Sequence, residues 1–549
     1  MKRVVFIILT IGLFNGLAVA QQPNIIWLTC EDISPSLSMY GDSTAQTPNL
    51  DRLASESIIY SNAFATVGVC APSRSSIITG MYPTSIGTQH MRTGKDVHGW
   101  GKRDYTQSSM AKDINNDSIP LYSVVTPADV KCFTEYLREA GYYCSNNAKT
   151  DYQFASPITA WDANGKDAHW QNRKEGQPFF AVFNYDVTHE SKIWKNKDLP
   201  LTVDPKLVPL PTYYPDNSVV RKDVARNYAN IELLDLQIGE MLKELEDAGL
   251  LENTIVFFYS DHGGPLPRGK REHYDSGLKV PFLVRLPDQK KKKYTDELIS
   301  FVDLAPTILS LAGVDIPDNM QGQAFLGIKK SIIPRTHIFG SGDRFDEFTD
   351  RIRVARDKQF LYVRNYYPEL PAYKDIGYRK NIDMTNEILK LKDNGQLNEA
   401  QNYWFRKEKT SEEFYNCKAD PENLHNLIED KKCEKKIEAM RKEMDEWQAN
   451  VGDMGSIPEK QQFLNLWPNG VQPVTQKPTI SRNGNLLKAS CPTEGASIAY
   501  VISDEKISPD FDSGWQLYSN PIKLTKGKKI YFQAHRIGFK ESQIFMLEL

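Results

Sequence analysis

The chain has 549 residues and a net charge of −3, with 67 lysines and arginines against 70 acidic residues. That length exceeds one ordinary core and implies more than one domain, and the balanced charge excludes the broad basic field that a nucleic-acid partner needs. Seven cysteines in so long a chain exclude a disulfide-dense scaffold.

Residues 1–20 read as an export signal. Lys2 and Arg3 give the positive start, Val4 to Leu13 the apolar run and Ala18-Val19-Ala20 a cleavage site. The run is too short to cross a bilayer and no other stretch approaches that length, so an exported protein, periplasmic or secreted, without a membrane span is expected. Asn24 to Thr29 is a short apolar run that reads as a buried strand and delivers Glu31 and Asp32 at its C-terminal end. Thr47-Pro48 opens a helix. One strand-like segment later comes Cys70-Ala71-Pro72-Ser73-Arg74, where Pro72 suits a first helical turn that Ser73 to Ile78 continue until Gly80. Cys70 then stands at a helix N-terminus, which favours an anion, with Arg74 one turn on along the same face. Taken alone, the same residues describe a buried cysteine at a helix start.

Phe133 to Ala140 is helical and stops at Gly141, and Pro178 to Tyr185 is a second buried strand followed by His189. Tyr228, Ile231, Leu234, Ile238, Met241 and Leu245 mark an amphipathic helix ending near Gly249. Ile255 to Tyr259 is a core strand running into Ser260-Asp261-His262-Gly263-Gly264. This alternation predicts an α/β layer fold with a mainly parallel sheet, in which ligands gather beyond the carboxyl ends of strands. Glu31/Asp32 and Asp261/His262 suit a divalent cation, oxygen ligands favouring calcium or magnesium; Glu31/Asp32 alone reads equally as a helix cap. The segment from about Pro368 to Lys409 is polar and helical in character. After Pro468, short β-rich runs such as Ser497–Ile502 and Lys529–Ala534 predict a β-sandwich of about eighty residues. If any local disulfide forms, Cys417 with Cys433 is the most plausible pair.

The stretch Cys70-Ala71-Pro72-Ser73-Arg74 together with Ile78-Thr79-Gly80 resembles the signature of the formylglycine-dependent (type I) sulfatases. The resemblance covers roughly residues 23–430. It implies an α/β, alkaline-phosphatase-like three-layer sandwich with a small C-terminal α+β subdomain, and hence the division 1–20 signal, 21–365 catalytic domain, 366–467 subdomain, 468–549 accessory β-sandwich. It implies that a formylglycine-generating maturation enzyme oxidises Cys70 to an aldehyde. It also implies a divalent metal, calcium favoured with Mg2+, Mn2+ or Zn2+ open, held by Glu31, Asp32, Cys70, Asp261 and His262. Arg74 and the metal would hold the aldehyde hydrate, Lys149 would touch both hydrate and sulfate, and Lys270 and His189 would hold the sulfate, His189 protonating the leaving group. One hydrate hydroxyl would attack sulfur and the other would later lose its proton and expel sulfate.

Three positions depart from the family pattern. Glu31 stands where aspartate is commoner, His262 where many members have Asn, and Asp151 where Lys-x-His is usual. The phrases Gly264-Pro265-Leu266-Pro267-Arg268-Gly269-Lys270 and Asp420-Pro421 with Asn426-Leu427 look most like the heparan N-sulfatase (sulfamidase) branch. That implies a sulfated carbohydrate substrate, with heparin or heparan sulfate favoured and N-sulfoglucosamine or an O-sulfate ester as the group cleaved. His90, Arg92 and His98, with Asp151, are candidates for reading the sugar, or equally solvated loop residues. A phosphate or phosphonate ester hydrolase of the same superfamily, and an inactive glycan-binding relative, are the alternatives.

Overall fold

The computed structural model describes residues 22–94, 96, 105–106, 108–504, 507, 514–524 and 527–548. The expected export signal and His98 lie outside the described residues.

The central sheet is built from β1 (Asn24–Cys30), β2 (Ile58–Phe64), β3 (Tyr143–Asn147), β4 (Ala163–Asn164), β5 (Phe179–Tyr185), β6 (Thr254–Ser260), β7 (Phe282–Arg285) and β8 (Lys293–Ser300). Their order is β8-β2-β7-β6-β1-β5-β3-β4. Strand β1 pairs in parallel with both β5 and β6, and β7 runs antiparallel to β2 and β6. The unbroken apolar run of β1 follows from burial on both faces. Ile25 and Trp27 enter one core, while Ile26, Leu28 and Cys30 enter the other, because successive side chains point to opposite sides.

On the first face lie α1 (Pro48–Ser55) and the 30-residue α4 (Ser218–Asp247); on the second lie α2 (Cys70–Thr79), α3 (Phe133–Glu139) and α5 (Leu304–Leu311). Helix α4 begins ten residues before the apolar periodicity does, because the Asn217 side chain accepts from the backbone N–H groups of Val219 and Val220 and caps it. Helix α2 ends where Gly80 takes φ 69°, as the sequence indicates.

A second, antiparallel sheet holds β9 (Ile338–Gly342), β10 (Ile352–Arg356), β11 (Phe360–Asn365) and β12 (Glu412–Asn416). One face packs on the main sheet through Phe64, Tyr274 and Leu298. The other is covered by α7 (Glu434–Val451), which follows α6 (Asp383–Asp393) in the chain. Cys417 and Cys433 sit on opposite faces of this sheet, so the expected disulfide does not form. Both are free thiols, and Cys417 accepts instead from Asn423 Nδ2 at 3.4 Å.

After α8 (Glu459–Leu466) come two antiparallel sheets that enclose a small core of Leu487, Ile498, Ile522, Ile530 and Phe532. They are docked on the main layers. Arg138 Nη2 donates to the Trp515 carbonyl at 3.0 Å, Ser497 Oγ donates to Glu135 Oε2 at 2.6 Å, and Ile537 joins the second main core. Among the described residues no helix is long and apolar enough to cross a membrane.

Candidate active site

The carboxyl ends of β1, β2, β3, β5 and β6 converge on Cys70. Its thiol is fully buried, 3.4 Å from His262 Nε2 and 3.8 Å from Glu31 Oε2. Burial pushes the thiol up, but the Lys149 and Lys270 ammonium groups outweigh it and bring it down to about 6. The two ammonium groups thus favour negative charge at this position, whereas burial pushes Cys30, Cys132 and Cys144 the other way.

Five acid or imidazole groups stand beside it in two overlapping groupings. Asp32 Oδ1 lies 3.0 Å from His262 Nε2, and Asp261 Oδ1 lies 3.6 Å from the same nitrogen. Glu31 and Asp32 share a second grouping with Cys70 and His189, all of whose donor atoms lie within 4.8 Å of one another. His262 Nδ1 lies 2.9 Å from the Gly263 carbonyl, which can only accept, so Nδ1 carries a proton. Neutral His262 would then turn its Nε2 lone pair toward two carboxylate oxygens. Burial pushes that imidazole down, and Asp261 and Asp32 outweigh it and carry it up to about 10. Acceptors crowded in this way fit a cation between them, and oxygen donors with one imidazole suit a divalent ion. Gly263 lets the strand end pass this closely: a Cβ there would meet the Ser276 carbonyl oxygen at 2.2 Å.

The cations flank this group. Arg74 Nε donates to Asp261 Oδ2 at 2.9 Å and its Nη1 to Asn184 Oδ1 at 2.6 Å. Lys149 Nζ lies 2.5 Å from Glu31 Oε2 and 3.5 Å from Asp151 Oδ2. Lys270 Nζ lies 2.8 Å from Asp32 Oδ2 and 3.4 Å from Glu190 Oε1. These contacts hold the acids ionised: against the upward push of burial, Lys149 and His189 keep Glu31 low, and Lys270 and His262 keep Asp32 low. His189 Nδ1 lies 2.9 Å from Ser191 Oγ and 3.2 Å from the Ser191 backbone nitrogen, which fixes the ring with Nε2 toward the site, 3.9 Å from Glu31 Oε2.

The structure therefore brings together Glu31, Asp32, Cys70, Arg74, Lys149, His189, Asp261, His262 and Lys270. Asp151 and Arg92 stand at the edge of the same group, Arg92 Nη2 lying 3.3 Å from Asp151 Oδ2. His90 makes its contacts elsewhere. It is buried beside Glu459, with Nδ1 3.6 Å from that carboxylate and 3.4 Å from the Arg344 backbone N–H, so it belongs to the contact between the 87–93 loop and α8.

Sequence reasoning missed Asn184, Glu190 and Arg271. Glu190 takes both Nη groups of Arg271 at 2.9 and 2.8 Å, and its backbone N–H donates to Asp32 Oδ2 at 2.7 Å. Asn184 carried a legible signal, a polar side chain near the end of the otherwise apolar β5. Glu190 and Arg271 carried none.

The family model described as Sulfatase matches residues 23–314. Over 572 aligned positions the chain is 44 % identical to an "Ulvan-active sulfatase" of Formosa agariphila, covering 97 % of this chain and 92 % of that protein.

The chain belongs to the sulfatase family.

It is a sulfuric ester hydrolase. The sulfatase is also 25 % identical to the human "N-sulphoglucosamine sulphohydrolase", over 80 % of this chain and 92 % of that one. Among solved structures it shares its alkaline-phosphatase-like fold with one described as a complex with "its substrate D-Glucosamine-2-N, 6-O-disulfate", at 18 % identity and a TM-score of 0.55, covering 80 % of this sulfatase and all of that chain. A phosphonate monoester hydrolase of Agrobacterium radiobacter has the same fold at 14 % identity and a TM-score of 0.55, covering 78 % and 96 %.

Proposed function

We propose that this sulfatase removes sulfate from a sulfated polysaccharide of the ulvan class, after export and after oxidation of Cys70 to formylglycine. The observation that carries the substrate class is the 44 % identity to an ulvan-active sulfatase over nearly the whole of both chains, the C-terminal β-sheets included. The heparan-type N-sulfate favoured by the loop phrases is the second reading, supported by the weaker likeness to the human sulphohydrolase.

Glu31, Asp32, Asp261 and His262 would hold the divalent cation, Ca2+ favoured by the three carboxylates, and the Cys70 position lies against them. When present, the aldehyde supplies a hydrate that attacks sulfur and later releases sulfate, and the cation supplies charge against its oxygens. The chain's own residues do the rest. Arg74, anchored to Asp261 and Asn184, cannot swing away from the nucleophile. Lys149 and Lys270 flank the Cys70 position and neutralise the sulfate that must approach it. His189 turns Nε2 toward the site and, as an imidazolium with its Nδ1–H on Ser191 Oγ, would pass its Nε2 proton to the departing sugar oxygen and return to the neutral ring. Arg92, half-exposed and paired with buried Asp151, is the side chain best presented to read a neighbouring group of the glycan.

Sulfate release measured on ulvan oligosaccharides and on heparin-derived disaccharides in parallel tests this reading. Release from the ulvan series is the expected result; release from the heparin series alone would replace it with the second.

A further inference from the structure

The loop that presents Lys270 runs on into a closed, cationic cavity outside the hydrolytic site. The cavity, of about 10 Å³, is lined by Arg268, Glu272, His273, Trp404, Arg406 and Lys409. That is room for one small species. His273 is 5 % exposed, and among the described residues its Nε2 has no hydrogen-bond partner; the same holds for the buried Nη1 of Arg406. Two unpartnered side-chain nitrogens thus belong to residues that line one small space, where a buried polar group without a partner is costly.

The surrounding charge does not balance. Lys374 pairs with Glu272 at 3.5 Å, Arg379 shares that carboxylate at 3.8 Å, Lys409 pairs with Asp350 at 2.7 Å and Arg406 with Glu413 at 3.3 Å. Arg268 gives its Nη groups to the backbone carbonyls of Glu422 and Asn423 and lies over the Tyr213 and Tyr274 rings. Among these groups five cations stand against three carboxylates, and Arg268 pairs with none of the three, so the wall of the cavity is rich in positive charge. Water would satisfy the donors and leave the charge; a sulfate or phosphate is too large for the space. A monatomic anion meets both demands.

We propose that this cavity is a structural halide site, occupied by chloride, which is held by His273 Nε2–H and Arg406 Nη1 in the field of Arg268 and Lys409. Burial, then Lys374, Lys409, Arg406 and Arg268, keep the His273 imidazole well below its ordinary range, so it donates as a neutral ring and adds no further positive charge. The site is tied to the catalytic loop. His273 follows Lys270 by three residues, and Arg379, which shares Glu272, donates through Nη2 to the Lys270 carbonyl at 3.2 Å. The bound halide would stiffen the turn that holds Lys270 against Asp32.

The test uses the full chain exchanged into sodium gluconate, then titrated with sodium chloride or bromide at constant ionic strength. The expected result is a saturable rise in Tm of about 2 °C or more. Crystals soaked in bromide should show an anomalous peak within hydrogen-bond distance of His273 Nε2 and Arg406 Nη1. In His273→Leu both the peak and the Tm response should be lost; if that variant does not fold, the wild-type bromide map decides alone. A Tm indifferent to halide, density fitting only water, or a bromide peak confined to the sulfate pocket would each overturn the proposal.

Discussion

Arg74 Nε and Asp261 Oδ2 meet at 2.9 Å with both side chains buried, and the same guanidinium reaches Asn184 on a third segment. The helix that starts at Cys70 is thereby locked to the ends of β5 and β6. Arg74→Ala strands the Asp261 carboxylate, so stability should fall by about 3–5 kcal/mol, and kcat/KM by about 10²–10³. Arg74→Lys keeps the charge but cannot span both partners, so it should lie between the two. Thermal unfolding and steady-state kinetics on the pair check this; equal activity of Arg74→Ala and wild type would contradict it.

His189 is assigned the leaving-group proton, and that role has a signature beyond lost activity. A sugar alkoxide is a poor leaving group and an aryl oxide a good one. His189→Ala should therefore lower kcat on a sulfated oligosaccharide by about 10²–10⁴ and kcat on an aryl sulfate far less. An equal loss on both substrates would mean that His189 only binds sulfate.

The acceptors crowded around His262 Nε2 predict dependence on a divalent ion. Dialysis against a chelator should abolish turnover and lower Tm, and Ca2+ should restore both better than Zn2+. Full activity in protein shown to be metal-free by elemental analysis would contradict the ligand assignment.

A pH effect on stability is expected far from the site. Asp223 on α4 accepts from the Met384 backbone N–H at 2.7 Å, and burial lifts its carboxyl to about 6 although that bond opposes the shift. Its folded value thus lies above the unfolded value of about 3.9, so ionisation of Asp223 costs stability above pH 6 and nothing below about pH 4. Asp223→Asn keeps the acceptor and should stabilise the protein by about 1–2 kcal/mol at pH 8, with no gain at pH 4. Denaturant unfolding at the two values decides, and a gain of equal size at both would rule out this cause.

Much of the candidate site's framework was legible because its signals are local. An apolar run such as Asn24–Cys30 that is buried on both faces, followed at once by two acids, marks a parallel strand and its functional end. The helix start at Cys70 and its stop at Gly80 follow from proline and glycine placement. What was illegible depends on partners distant in sequence. Nothing near His90 announces Glu459, which captures it from 369 positions away, and nothing near Arg271 announces Glu190. The Cys417–Cys433 pairing failed for a similar reason: spacing along the chain does not say on which face of a sheet each thiol falls.

The central claim is that Cys70 is the precursor of the nucleophile, and it is tested most directly by the mass of the tryptic peptide Leu53–Arg74 from protein made in a maturation-competent host. Conversion of the thiol to the aldehyde predicts a peptide lighter by about 18 Da. A peptide carrying only the unmodified thiol, from protein that still hydrolyses sulfate esters, would contradict the account.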